Sequence, residues 1–269
     1  MIDHLRLALY FKESRLVRDS TDKAYLIGKP CDYGFKMGAR HVEFDEMGRP
    51  MVADLYAPYD SLPSSYTGMA CKLYHSVAFG DPYVEIKASP AKLMQGHNVF
   101  GSSSLEDCAF EMIGLLFESI PQLAEHINLR LTQVLHIDVT YSSRVSHENM
   151  IPKVIDYLSR IRNGQTKPTK NKKYATTAYW GGENSRLIQL KCYAKYDEMM
   201  YQLENYRKLA KGGNTQAKFI VETVYTPELL DYAKTLMRWE ARIKARKLER
   251  LGIPTNLVEM IKHQQKNPD

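Results

Sequence analysis

The sequence predicts an α+β fold with a central, mostly antiparallel sheet and helices packed on one of its faces. Short segments that alternate polar and apolar residues are typical of half-buried strands, and amphipathic helical patterns separate them. Turn sequences at residues 46–49 (EMGR) and 181–184 (GGEN) predict hairpins, which join antiparallel strands. One face of such a sheet packs on the core, and the other is left for polar side chains.

The first third of the chain consists of predicted strands. Their alternation places them at 3–11, 41–45, 50–56, 68–77 and 83–88. With 269 residues and 44% hydrophobic content, the chain is long enough to bury one large core. We therefore expect a single domain over residues 1–269, in which the strand-rich region of residues 1–80 is a candidate subdomain.

Helical signals begin after these strands. One helical turn is predicted at 91–95, and Ser103 with Glu106 forms a capping box ahead of the apolar-periodic run 105–123. Another helix is predicted from about residue 147 to residue 162. The strands expected between and after these helices lie at 136–142, 174–180 and 187–195.

The C-terminal region combines helices with one further strand. One helix ends at Gly212, and Thr226 with Pro227 marks the start of the next. A strand at 238–244 then precedes a basic helix and a last helix that begins near Thr255. No internal repeat or low-complexity tract interrupts this order.

Composition is that of an ordinary globular protein. The four cysteines are scattered without a C-x-x-C pair, which predicts reduced thiols, and no apolar run approaches the roughly 18 residues of a membrane span. The N-terminus lacks the features of a signal peptide, so we expect a cytoplasmic protein without membrane contact. A net charge of +6 is only mildly basic and does not by itself predict a nucleic-acid partner.

Four predicted strands carry reactive side chains on their polar faces. Glu85, Asp138 and Glu240 lie near the middle of three of them, and hard oxygen ligands that converge from neighbouring strands suit Mg²⁺ or Mn²⁺. His136 shares the strand face of Asp138 and either adds an imidazole nitrogen or is a polar residue at the sheet edge. The four segments are Tyr83–Lys87, His136–Thr140, Leu187–Lys195 and Arg238–Lys244.

Tyr193 stands out among eighteen tyrosines as a candidate nucleophile. The strand pattern places it between Lys191 and Lys195 on the polar face. A phenol with a pKa near 10 is a weak nucleophile at neutral pH unless cations stabilise its anion or the target is polarised. The lysines and the metal would supply both kinds of help in an attack on a phosphodiester. Tyr196 is the alternative, although it leans to the opposite strand face or begins the helix.

Positive charge is clustered along the chain. The loop 164–173 is rich in lysine, and the segment from Arg238 to Arg250 holds six positive charges against two glutamates. A single cluster of this kind is most often a solvated surface, but clusters that flank polar-faced strands favour a polyanion as partner. The candidate DNA contacts are Lys167, Lys170, Lys172, Lys173, Lys191, Arg242, Arg246 and Lys247.

Several segments resemble the gene II replication initiators of filamentous bacteriophages. They are VEIKASPAKLMQGHNVFG (84–101), HIDVTYS (136–142), NGQTK (163–167), CYAK (192–195) and RWEARIKAR (238–246). The resemblance spans nearly the whole chain and implies a site-specific endonuclease that nicks the plus-strand origin of a circular replicative form. Such an enzyme holds the 5′ end on a tyrosine, leaves a 3′ hydroxyl for rolling-circle synthesis, and later cuts and circularises the displaced strand. The phage initiators continue further, which predicts that the family's C-terminal region is absent here.

A more distant similarity is to the plasmid rolling-circle initiators of the HUH nuclease group. It implies a ferredoxin/RRM-like sheet whose metal site faces the tyrosine, with matching positions at Glu85, Asp138, Tyr193 and Glu240. No His-hydrophobe-His triplet occurs, so carboxylates would replace the paired histidines.

These resemblances imply an Mg²⁺- or Mn²⁺-dependent nickase and strand transferase. Tyr193 would be the nucleophile, and Lys195 would steady the phenolate or the scissile phosphate. The expected partners are origin DNA, host helicase and host DNA polymerase, and oligomers on DNA are a further expectation. The expected location is the cytoplasm of the bacterial host.

Two other functions remain open at the level of sequence. An open sheet with Tyr83, Tyr141 and Tyr193 as stacking platforms would make a non-catalytic nucleic-acid-binding module. Metal-activated water could instead cut DNA without any tyrosine adduct.

Overall fold

An eight-stranded sheet forms the centre of the computed structural model. The structure describes residues 1–36, 38–56, 58–75, 80–161, 176–181 and 185–267. Its strands are β1 (Ile2–Tyr10), β2 (Leu16–Arg18), β3 (Ala24–Leu26), β4 (Gly38–Phe44), β5 (Pro50–Tyr56), β6 (Asp60–Leu62), β7 (Met69–Tyr74), β8 (Tyr83–Ala88), β9 (Gln133–Arg144), β10 (Thr177–Trp180), β11 (Ile188–Ala194) and β12 (Leu236–Lys244). Its α-helices are α1 (Pro90–Gln95), α2 (Leu105–Ser119), α3 (Met150–Arg160), α4 (Lys195–Lys211), α5 (Thr215–Thr223), α6 (Pro227–Ala233), α7 (Ala245–Arg250) and α8 (Leu257–Lys266).

The strands of the large sheet follow the order β10, β11, β12, β9, β1, β8, β7, β6, and all neighbouring pairs are antiparallel. Two further antiparallel pairs, β2 with β3 and β4 with β5, lie outside it. All four segments with predicted polar faces are strands of the large sheet. Three of them, β11, β12 and β9, are direct neighbours, whereas β1 separates β9 from β8.

The apolar face of the sheet packs against helices α2, α8 and α3. Alternation along β1 directs Leu5 and Leu7 into a buried cluster with Leu116 of α2. A second cluster joins Ile155 of α3 to Cys192 of β11. Removing such apolar side chains from water stabilises the fold by about 2 kcal/mol for each large one. The predicted α+β class and the antiparallel sheet are therefore confirmed, and the fold is compatible with the HUH-like core that the resemblance implies.

One end of the polar face also meets helices. Leu236 lies two residues before Arg238 in β12, on the polar face, and is buried with Met199 of α4 and Ile220 of α5. Helices α4 and α5 therefore pack on this end of the polar face. The remainder of the polar face carries the charged side chains described below.

Several local details differ from the sequence-based prediction, among them the short strands β2, β3 and β6, which the alternation did not predict. The N-cap of α2 is Ser104 rather than Ser103, because the Ser104 hydroxyl accepts a hydrogen bond from the Asp107 amide at 3.1 Å. Helix α5 is additional, and its N-terminus is capped by Asn214. Lys195 begins α4 instead of ending the strand, so its side chain leaves the alternating pattern. Element ends depend on such local contacts and are the feature that periodicity predicts least well.

Some predicted features lie outside the described residues, namely the 162–175 segment with its basic loop and most of the 181–184 turn. Within the described ranges, none of the helices has both the length and the apolar character that crossing a bilayer requires.

Candidate active site

Four adjacent strands, β11, β12, β9 and β1, bring polar side chains together on one face of the sheet. Residues directly opposite each other in an antiparallel pair point to the same face. Lys191 lies opposite Glu240, and His4 lies opposite Asp138. Glu240 is also opposite Thr140, two residues beyond Asp138, so the two carboxylates occupy neighbouring strands of the same face. This polar face carries the candidate active site.

Tyr193 and Glu240 meet on the polar face. The Tyr193 hydroxyl is directed at Glu240, with 3.4 Å between Oη and Oε2. That distance exceeds a well-formed O–H···O hydrogen bond, and catalytic hydrogen bonds are often this long before substrate binds. Lys191 Nζ lies 2.7 Å from Oε1 of Glu240 and 5.3 Å from the centroid of the Tyr193 ring. The phenol therefore has a base and a cation beside it.

The environment shifts the pKa of both groups. Burial raises the pKa of Glu240 to about 7, and the nearby Asp138 carboxylate adds to this, while Lys191 acts in the opposite direction. Burial also raises the pKa of Tyr193 well above 10, with further contributions from Glu198 and Glu240. A free phenolate is therefore not populated at neutral pH. Any attack by Tyr193 must transfer its proton during the reaction, and Glu240 titrates in the range that suits a general base.

A cavity of about 460 Å³ opens beside this pair. Its wall includes Tyr193, Glu240, Asp138 and His4. Carboxylates outnumber cationic side chains in the lining: Asp3, Asp138, Asp197, Glu198 and Glu240 against Lys92, Lys191 and Arg242. A phosphodiester would meet net negative charge there unless a cation were added, which favours a metal-assisted site.

Among the residues that the structure describes, His4 of β1 forms a possible metal-ligand cluster with His136 and Asp138 of β9. One donor atom from each of these three side chains lies within 4.8 Å of the others. His4 Nδ1 and His136 Nε2 are 3.1 Å apart, and the two rings are stacked with centroids at 5.1 Å. Two nitrogens of Arg242 bind the Asp138 carboxylate, the shorter distance being 2.7 Å. Two imidazoles and one carboxylate form a mixed nitrogen and oxygen donor set, which can hold a divalent cation.

Both histidines of this cluster favour the neutral state. Burial, and then the neighbouring His4, lowers the pKa of His136 to about 3, and burial also lowers the pKa of His4. Burial alone would raise the pKa of Asp138, but Arg242 outweighs it through hydrogen bonds and charge attraction and holds the carboxylate ionised. The cluster therefore offers neutral imidazoles and an anionic oxygen, which are the protonation states that metal ligands need.

Lys195 is completely buried at the first residue of α4. Its ammonium donates to Asn98 Oδ1 at 2.7 Å and pairs with Glu198. The Asn98 amide in turn donates to Asp3 at 2.7 Å, and buried Arg238 donates to the Asn98 carbonyl at 2.6 Å. These contacts fix the start of α4 two residues after Tyr193. The direct catalytic role expected of Lys195 stays a prediction.

Glu85 lies apart from the His4 cluster. It is opposite Ala8, which is four residues from His4 along β1, or about 13 Å at the usual strand rise. Its carboxylate is buried, pairs with Arg6 and accepts a hydrogen bond from the Tyr59 hydroxyl. The structure brings Asp138 and His136 together and places Glu240 on the strand next to Asp138, whereas Glu85 lies beyond β1. The metal-ligand roles expected of Glu85 and Glu240 stay predictions.

The predicted DNA contacts have different surroundings. Lys191 and Arg242 lie on the polar face, and each pairs with a carboxylate there. Arg246 is exposed and Lys247 half-buried in α7, which directly follows β12. The others lie outside the described residues: Lys167, Lys170, Lys172 and Lys173.

The three tyrosines expected as stacking platforms do not share a face. Tyr83 lies opposite Tyr10 in the register that puts Glu85 opposite Ala8, so it is on the polar face, as is Tyr193. Tyr141 alternates with Thr140 and therefore projects from the apolar side, where 72% of its surface is exposed. A platform built from all three is not formed.

Sequence reasoning missed His4, Asp3 and Asn98. For His4 a signal existed, because His4 and Arg6 alternate with Leu5 in the first strand. Asn98 follows α1 in an irregular segment, where no periodic pattern could identify it. Asp3 belongs to the site through its hydrogen bond with Asn98, a contact that the sequence does not predict.

Comparison with known proteins gives a consistent set of relatives. A family model for the N-terminal region of a phage replication-associated protein matches residues 1–266. The replication-associated protein of Enterobacteria phage M13 is 38% identical over 230 residues, which cover 85% of this chain and 56% of that protein. The protein of the same name from Salmonella phage IKe is 37% identical over 272 residues, covering 98% of this chain and 64% of that protein. The chain thus spans less than two thirds of these relatives, and no solved structure matches it.

The neutral His136 predicts a pH-dependent stability. In the unfolded chain His136 takes up a proton below its usual pKa of 6.5, whereas in the folded protein it stays neutral down to about pH 3. The free energy of unfolding should therefore fall as the pH drops between these two values. Between about pH 7 and about pH 5, the free energy of unfolding of His136→Gln should fall by about 1–2 kcal/mol less than that of wild type. Urea denaturation at each pH, in the presence of a chelator, measures the free energy of unfolding.

Comparison with a variant is needed because the raised pKa of Glu240 acts in the opposite direction, lowering stability as the pH rises from 4.5 to about 7. His147→Gln, at an exposed histidine, is the matched control and should leave the pH profile unchanged. Equal profiles for His136→Gln and wild type would show that His136 is not held neutral.

Proposed function

The chain belongs to the family of phage replication-associated proteins, whose N-terminal region it matches, and we propose that it nicks and rejoins DNA to start and end rolling-circle replication of a circular phage genome. Relatives in two filamentous phages carry the name replication-associated protein, which supports a role in replication. The observation that carries the chemistry is the Tyr193 hydroxyl directed at Glu240 beside a cavity that also includes His4 and Asp138.

The nicking step is a transesterification. The Tyr193 oxygen attacks the scissile phosphorus, the Oη–P bond forms as the P–O3′ bond breaks, and the phenol proton passes to Glu240. The departing 3′ oxygen takes a proton from solvent. Because the phosphotyrosine bond keeps the energy of the phosphodiester, a 3′ hydroxyl can later attack it and rejoin the strand.

Lys191 supports the same step. Its ammonium pairs with the Glu240 carboxylate while that group is ionised. When Glu240 accepts the proton, this attraction weakens, and the ammonium is free to interact with the phosphate oxygens or the phenolate. Lys195 acts as a positioning residue, because its contacts with Asn98 and Glu198 hold the start of α4 next to Tyr193.

The donor set of His4, His136 and Asp138 fits a divalent cation, Mn²⁺ or Mg²⁺. Such an ion would draw electron density from a phosphate oxygen and offset negative charge as it develops. The neutral imidazoles and the ionised carboxylate are ready for it without prior loss of protons. Arg242 keeps Asp138 charged and holds it in place.

The proposed partner is origin DNA, bound through its phosphates by basic residues such as Arg246, with affinity that falls as salt rises. Host helicase and polymerase are proposed to follow at the 3′ end, and the proposed location is the cytoplasm of the bacterial host. These assignments rest on the family.

Tyr193→Phe tests the nucleophile. The variant should form no covalent adduct with supercoiled origin DNA in the presence of Mn²⁺, because it lacks the attacking oxygen while keeping the buried ring. Denaturing electrophoresis of samples with and without protease treatment detects the adduct. Tyr196→Phe is the matched control and should form as much adduct as wild type.

Three outcomes contradict the proposal in different ways. If Tyr193→Phe forms as much adduct as wild type, Tyr193 is not the nucleophile. Cutting without any adduct in wild type indicates metal-activated water instead. Binding of origin DNA with neither cutting nor adduct indicates a non-catalytic binding module.

The metal ligands can be assigned by Mn²⁺ titration of the DNA-free protein. His4→Ala and Asp138→Asn should each weaken Mn²⁺ binding by at least about tenfold, since loss of even a supporting residue commonly has that effect. Glu85→Gln is the comparison, and the position of Glu85 across β1 predicts an affinity close to wild type. Unchanged affinity in the first two variants would exclude the cluster, and a loss in Glu85→Gln would make Glu85 a ligand.

A further inference from the structure

A second set of aromatic and cationic side chains lies on the polar face, at the end of the sheet away from Tyr193. Strand register places Tyr83 of β8 between Tyr10 of β1 and Tyr74 of β7, all on the polar face. Tyr59 lies just before β6 and reaches the same face through its hydrogen bond to Glu85. We call this set the tyrosine–lysine surface: Tyr10, Tyr59, Tyr74, Tyr83, Lys72 and Lys87.

The rings of this surface form a connected aromatic group. Tyr74 and Tyr83 are stacked, with centroids 4.6 Å apart and ring planes 18° from parallel. Tyr10 contacts Tyr83 at 5.6 Å in a tilted arrangement. Tyr59 is 41% exposed, and the other three rings are half-buried. The accessible parts of these side chains add aromatic surface to the polar side of the sheet.

The charge of this surface is positive. Lys87 lies over the Tyr59 ring at 3.7 Å, and Lys72 lies over the Tyr74 ring at 4.7 Å. Within the described residues, neither ammonium has a carboxylate at ion-pair distance. The nearby acid, Glu85, is buried and already pairs with Arg6. Two ammonium groups are therefore available to an anion beside accessible aromatic rings.

The surface is continuous with the candidate active site. Both lie on the same face, and β1 runs from His4 of the metal-ligand cluster to Tyr10. Six residues of strand span about 20 Å, and Arg6 lies between the two ends. At about 3.4 Å per stacked nucleotide, this distance corresponds to roughly six nucleotides.

We propose that the tyrosine–lysine surface binds single-stranded DNA next to the scissile phosphodiester, with bases stacked on its tyrosine rings and backbone phosphates beside Lys72 and Lys87. Single-stranded nucleic acid is recognised by such a pairing of aromatic platforms with cations, and stacking does not depend on base identity. The proposal rests on the proposed function for the identity of the DNA. It assigns this half of the sheet a binding role separate from the chemistry at Tyr193.

The test measures binding without chemistry. A fluorescein-labelled oligo(dT) of about twelve nucleotides is titrated with the full chain in the presence of a chelator, and its anisotropy gives the Kd. The double variant Tyr74→Leu/Tyr83→Leu keeps apolar bulk but removes two rings, and we expect its Kd to rise at least about tenfold. Tyr74→Phe/Tyr83→Phe keeps both rings and should bind within about twofold of wild type.

Two further variants make the test specific. Tyr141→Leu removes a highly exposed tyrosine from the opposite side of the sheet and should leave the Kd unchanged. Lys72→Ala/Lys87→Ala should lower the slope of log Kd against log salt by about 1.4, the value for two lost phosphate contacts on a single strand. These lysines are half-buried and outside the apolar core, so this variant also tests the proposal if the leucine variant does not fold.

The outcomes separate this inference from the proposed function. The inference would be overturned, even if Tyr193 forms its adduct, if the tyrosine and lysine variants kept the wild-type Kd and salt slope. It would also be overturned if Tyr141→Leu weakened oligo(dT) binding as much as these variants do. Weaker binding confined to the tyrosine–lysine surface would support it even if Tyr193→Phe proved fully active. A wild-type protein that binds no oligo(dT) would also overturn it.

Discussion

Charged side chains buried on the polar face of the sheet must find partners on neighbouring strands, and the geometry of the candidate active site depends on this constraint. An unpaired ion in such a place costs several kcal/mol. A shift of one residue in strand register would turn these side chains into the apolar core, so the pairing and the register support each other. The pairs are Asp138 with Arg242, Glu240 with Lys191 and Glu85 with Arg6.

The same constraint gives neighbouring acids different chemistry. Asp138 is bound by two nitrogens of Arg242 and stays ionised, which suits a metal ligand. Glu240 is buried with one lysine as counter-ion, and its pKa rises to about 7, which suits a base. Environments that push the pKa values of two nearby acids apart are a recurrent sign of divided catalytic roles. Tyr193 lies beside the acid that can accept its proton.

Strand periodicity predicted the local features of this site. It put Tyr193 and Lys191 on one face of β11 and Asp138 with His136 on one face of β9, because alternation is a property of a single strand. It could not predict that β1 would separate Glu85 from Asp138, since strand order is decided by long-range pairing. The same limit hid His4, whose partners come from β9. The N-cap at Ser104 and the helix start at Lys195 depend instead on local contacts, which alternation along a strand does not describe.

In the proposed mechanism Glu240 accepts the proton of Tyr193, so the rate of adduct formation should depend on pH through this carboxyl group. The rate constant is measured with saturating DNA and Mn²⁺ for wild type and Glu240→Gln. The wild-type rate should rise with a midpoint near pH 7, and the variant should be about a hundredfold slower and lack this midpoint. A Glu240→Gln variant with the wild-type rate and midpoint would show that Glu240 does not accept the proton.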